Sequence, residues 1–136
     1  MAHEASILAP GAREGNAAGR AQMLRVTFLY WEGCPSHEEA LERVREAIRL
    51  EDVQASVEVV RVDTEEDAQR WKFPGSPTIL VEGEDVAPRE GVPSRLTCRA
   101  YVLEDGRISP LPSVDQIRSA LRRARAMQSM TRREEV

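Results

Sequence analysis

Along the chain the spacing of apolar residues changes period several times, and each change marks an element. "LRVTFLYW" at residues 24–31 is rich in β-branched and aromatic residues, which predicts a buried strand. From Pro35 to Leu50 the period lengthens: Ala40, Leu41, Val44, Ala47 and Ile48 share one helical face, with glutamates and arginines on the other. Pro35 suits the first turn of that helix, where a missing N–H costs nothing. Alternation returns in "ASVEVVRVD" at 55–63, a second strand. Strand, helix and strand in this order form a βαβ unit whose strands run parallel.

Beyond it, Asp63 or Thr64 caps a short helix, "TEEDAQRWK", whose early carboxylates complement the positive end of the dipole. "PTILV" predicts a third strand, "EGED" a tight turn with an antiparallel return, and "CRAYVLEDGRIS" a strand pair about Asp105–Gly106. Ser113 opens an S-x-x-Q capping box, and Val114, Ile117, Leu121 and Ala124 supply the apolar face of a last helix. The predicted order is β-α-β-α-β-β-α, an α/β domain over 23–126 with helices on both faces of a small sheet. Residues 1–22 mix Gly, Ala and Arg without a period and read as a flexible leader; Met23 is an alternative start that the mass of the native N-terminus tests. Residues 127–136 read as a charged tail that frays.

Composition narrows the classes. A chain of 136 residues, 41% hydrophobic, suits one domain with a modest core. The net charge of −4 and scattered arginines argue against a nucleic-acid partner. No apolar run approaches the roughly 20 residues that cross a bilayer, and the N-terminus has no charged start followed by an apolar segment, so a soluble cytoplasmic protein is expected. Two cysteines, Cys34 and Cys98, are too few for a secreted disulfide scaffold.

The first candidate site is "GCPSH". Cys34 stands where a strand hands over to a helix, and the unsatisfied N–H groups and dipole of a helix start stabilise a thiolate. His37, three residues on, is placed to hydrogen-bond that sulfur or, when protonated, to lower its pKa; Ser36 offers a hydroxyl, while Glu38 and Glu39 oppose the thiolate. The plainer reading makes Cys34 a small turn-filling residue and His37 a solvated helix residue. "GSPTI" at 75–79 is the second feature. Pro77 opens a strand, and a cis Ser76–Pro77 bond would present the backbone of Ser76 to an extended peptide or a substrate thiol. Trp31 and Trp71 either border such a groove or close the core at element ends. Cys98, in "RLTCRAY", reads as an inert core cysteine; pairing with Cys34 requires their Cα atoms within about 7 Å. Strand alternation turns Arg99 to the face opposite Cys98.

Strand, Cys34-Pro35-Ser36-His37 at the first helix, a second parallel strand, a short helix, Ser76-Pro77-Thr78 before a hairpin, and a final helix together resemble the thioredoxin-like superfamily, thioredoxins and glutaredoxins included, over about residues 24–125. The resemblance implies a three-layer α/β/α fold around a mixed sheet of about four strands, with Cys34 as nucleophile and Pro77 as the cis-proline opposite it. Trp31, Pro35, Ser36, Ser76, Pro77 and Thr78 are then the substrate-binding residues, and Cys34, His37 and Cys98 the catalytic ones. His37 stands where the family's second cysteine belongs, so three outcomes stay open: Cys34 acts alone, Cys98 resolves it, or the fold serves binding only. The expected reaction is monothiol exchange or deglutathionylation, with glutathione as a co-substrate, no resident cofactor and no metal, and a small-molecule or protein thiol or disulfide as partner. The pattern is also similar to small bacterial thioredoxin-like proteins labelled alkylmercury lyase-like. That resemblance adds soft-metal handling through Cys34 and Cys98 as an alternative.

Overall fold

The computed structural model describes residues 23–135. It contains a mixed sheet of four strands, three helices and a separate two-stranded ribbon. Strand β1 (Leu24–Tyr30) pairs in parallel with β2 (Ala55–Arg61), joined through helix α1 (His37–Glu51). Helix α2 (Glu65–Trp71) follows, and then β3 (Thr78–Val81), which returns antiparallel on the other side of β1. Strand β4 (Glu84–Asp85) closes the hairpin, giving the order β2-β1-β3-β4. Its two-residue turn, Glu82–Gly83, has both residues at positive φ, as a primed hairpin turn requires.

β1 is one of the two inner strands, and its alternation builds two apolar clusters. Leu24, Val26 and Phe28 pack with Ala40, Val44 and Ala47 of α1 and with Ile117 and Leu121 of α3 (Val114–Glu135). Leu29 instead joins Val62, Ala68 and Phe73 beneath α2. Adjacent strand residues point to opposite faces, so one strand anchors both clusters. The expected caps form: Asp67 N–H donates to Thr64 Oγ1, and Ser113 and Gln116 exchange reciprocal bonds at 3.0 Å each.

Three expectations change. The first helix starts at His37 with Ser36 as its cap residue, not at Pro35. The strand pair about Asp105–Gly106, β5 (Tyr101–Val102) and β6 (Ile108–Ser109), forms a ribbon outside the main sheet. The last helix runs on to Glu135 through residues expected to fray, since "RRARAMQSMTRREE" contains neither Gly nor Pro to stop it. The predicted leader and the question of Met23 as a start concern residues 1–22, outside the described residues. Among those described, no helix is long and apolar enough to cross a membrane.

Candidate functional site

The site lies where the β1–α1 turn meets the start of β3. After β1 the chain reverses at once, with Cys34 N–H donating to the Trp31 carbonyl at 3.0 Å. Gly33 makes the reversal possible. A Cβ there would sit 2.5 Å from the Trp31 ring, which lies over the turn. Trp31 N–H in turn donates to Ser76 Oγ at 2.9 Å, tying the end of β1 to the residue before Pro77. The Ser76–Pro77 bond is cis.

Cys34 is buried, 1% exposed, and its thiol donates to the Ser76 carbonyl at 3.5 Å. The sulfur thus faces the strand and not the helix start. Ser36 makes no side-chain cap bond, and the helix proper begins three residues after the cysteine. His37 does not reach the sulfur either. Its Nδ1 lies 2.9 Å from the Cys34 carbonyl, which only accepts, so Nδ1 carries the proton. Stacking on Tyr30, with centroids 4.5 Å apart, fixes the ring in that direction. His37 therefore secures the backbone of the turn, in place of the thiolate contact its spacing suggested. The sequence offered one missed signal: an aromatic residue at the last position of β1, within reach of a histidine in the first helical turn.

Cys98 departs most from expectation. It is exposed instead of inert core, and it lies beside Cys34. Residues 97–99 run alongside Ser76 as a short parallel bridge: Ser76 N–H donates to the Thr97 carbonyl at 2.7 Å, and Arg99 N–H donates to the Ser76 carbonyl at 2.9 Å. Cys98 stands between these two bonds, above the carbonyl that Cys34 contacts. Partial burial of its sulfur pushes the Cys98 thiol pKa up, and the hydrogen bond and charge of the Cys34 sulfur push it the same way. Two cysteines far apart in sequence thus form one thiol pair.

Arg99 holds that arrangement. It is buried where its neighbour Cys98 is exposed, the alternation expected of a strand. Its guanidinium grips both Asp85 oxygens at 2.9 and 3.1 Å, donates to Thr78 Oγ1 at 3.2 Å and to the Ala87 carbonyl at 2.6 Å, and stacks over Tyr101. Gly75, at φ +138°, lets the strand pass closely, since a Cβ there would meet the Arg99 backbone at 3.1 Å.

The expected substrate-binding residues divide. Pro35 is exposed and Trp31 and Ser36 are half-buried at the turn, whereas Ser76, Pro77 and Thr78 are buried. Thr78 Oγ1 donates to the Gly75 carbonyl at 2.6 Å while accepting from Arg99, and the Pro77 carbonyl accepts from the Tyr101 hydroxyl. These three support the pair from below. Among the described residues no group of three or more His, Cys, Asp or Glu side chains converges as a metal site. Comparison with protein families, with curated proteins and with solved structures finds no match for this chain.

Proposed function

We propose that this is a thioredoxin-like thiol protein of the cytoplasm, built in three α/β/α layers, that performs thiol–disulfide exchange through Cys34 and Cys98. The observation carrying this reading is the meeting of the two cysteines at the backbone of Ser76. The strand order and the cis bond before Pro77 support the fold resemblance. With a second thiol in place, the cycle needs no cysteine at position 37.

Exposure assigns the roles. Cys98 meets the incoming disulfide, and the covered Cys34 resolves. Deprotonated Cys98 attacks one sulfur of R–S–S–R; the Cys98–sulfur bond forms, the old S–S bond breaks, and the departing thiolate takes up a proton. Cys34 then loses its proton and attacks Cys98 Sγ, forming the Cys34–Cys98 disulfide and releasing the second R–S⁻, which is protonated in turn. Two electrons pass from the pair to the substrate, and a low-molecular-weight thiol restores the reduced pair.

The test is reaction of the reduced protein with hydroxyethyl disulfide, followed by intact mass and peptide mapping. The wild type is expected to lose two hydrogens and yield a Cys34–Cys98 linkage, while Cys34→Ser stops at a stable mixed disulfide on Cys98. A mixed disulfide that persists in the wild type, or a wild-type mass left unchanged by the reagent, overturns the proposal. The convergence of two sulfurs, with no group of three or more such ligands among the described residues, also favours a second reading, capture of a soft two-coordinate cation such as Hg(II). Tight equimolar Hg(II) binding, lost in either cysteine variant, would support it.

A further inference from the structure

Ser76 is the residue whose backbone an extended substrate would pair with beside the thiols. Both of its backbone groups are already bonded, the N–H to Thr97 and the carbonyl to Arg99. Its hydroxyl is taken by Trp31, and the residue is fully buried. The chain itself therefore fills the edge, and presents Cys98 at the place where a bound peptide would present its own cysteine. Arg99, held by four hydrogen bonds to Asp85, Thr78 and Ala87, keeps this segment from peeling away.

Of the two cysteines, it is Cys98 that is exposed. A groove of about 190 Å³ opens there, with Pro74, Asp85, Arg89, Val92, Cys98 and Arg99 among its lining residues. That volume is below the range of about 300–1,000 Å³ typical of sites for drug-sized ligands. It suits a short arm of a few heavy atoms. Arg89, Arg99 and Asp85 are among its charged lining residues. Asp85 is spent on Arg99, while Arg89 is exposed and makes no ion pair with the described residues. The positive charge of the groove is thus concentrated on Arg89.

We propose that residues 97–99 act as a built-in occupant of the Ser76 edge, so that the Cys34–Cys98 pair exchanges with small disulfides and not extended peptides, and that Arg89 selects those carrying a carboxylate. The inference rests on the thiol-exchange reading and narrows it to one substrate class. Exclusion follows from the hydrogen bonds, because a peptide must break both Ser76 bonds before it can pair. Selection follows from charge, because a carboxylate one or two bonds from the disulfide reaches Arg89 while its sulfur is on Cys98.

The experiment uses the full chain and three small disulfides of similar size: dithiodiglycolate, dianionic; hydroxyethyl disulfide, neutral; and cystamine, dicationic. Each rate of Cys34–Cys98 formation is divided by the reagent's rate with a free reference thiol, and an extended peptide carrying one cysteine as its hydroxyethanethiol mixed disulfide is run alongside. Normalised rates are expected to fall in the order anionic, neutral, cationic, with an anionic excess of about threefold to fivefold that disappears in Arg89→Gln. The peptide is expected to react more slowly than the neutral reagent, on the order of tenfold. A peptide as fast as the neutral reagent overturns the occupied-edge proposal; an unchanged charge order in Arg89→Gln overturns the selection. No reaction with any of the disulfides overturns thiol exchange itself, an outcome distinct from both.

Discussion

At the residue scale the pair has an asymmetry that experiment can read. The Cys98 thiol is pushed up by partial burial first and then by its bond to Cys34 and the charge there. A thiol is nucleophilic only as its anion, so alkylation of Cys98 should keep accelerating with pH and level off above the ordinary thiol range. Cys34→Ser removes two of the three causes. The expected outcome is faster iodoacetamide labelling of Cys98 in the variant than in the wild type at about pH 8, read by quenched mass spectrometry. Slower or equal labelling would separate the two sulfurs.

At the element scale, α3 is fastened to the end of α1 by one carboxylate. Glu51, nearly buried, accepts from Arg118 at 2.8 Å, Arg122 at 2.6 Å and Arg125 at 3.4 Å, and Arg125 also reaches its backbone carbonyl. The Arg118 bond is the largest cause holding its pKa below the ordinary 4.5. A depressed carboxylate stabilises the fold above its unfolded pKa and loses that contribution as pH falls through the lower folded value. Glu51→Gln is expected to lower urea stability by about 1–2 kcal/mol at neutral pH, a modest loss because the arginines can turn to water. The difference between the two proteins should shrink as the solution is acidified below the carboxylate range. A difference independent of pH would assign the loss to packing.

At the scale of the whole molecule, Cys34 and Cys98 bracket α1, β2, α2 and the β3–β4 hairpin. A disulfide between them would close most of the domain into one loop, and cross-links over loops of this size stabilise by about 3–5 kcal/mol through the unfolded chain. The oxidised protein is therefore expected to unfold at higher urea than the reduced protein. Equal midpoints would mean that closing the pair strains the native state by as much as it constrains the unfolded one. Such a gap would also tie folding stability to redox poise, since the oxidised pair and the fold would then stabilise each other.

Much of this could be read along the chain, for reasons that are local. The periods of β1, α1 and β2 are written in consecutive side chains, and the caps at Thr64 and Ser113 depend on residues three positions apart. Pro77 likewise marked a special backbone, through its place at the start of a strand. Reading Cys98 as inert core failed because local apolar character does not say which neighbour covers a strand. Its exposure and its partner follow from the bridge to Ser76, which joins residues with no periodic relation. His37 stands at a spacing suited to the thiol, but the rotamer set by Tyr30 turned it to the carbonyl. The sequence by itself determined the order of elements, the turn that carries Cys34 and the unusual proline, because each depends on neighbours along the chain. Only the tertiary structure decided that the two thiols meet, that Arg99 is bound to Asp85, and that the chain fills its own edge, because those contacts are made by segments the sequence keeps apart.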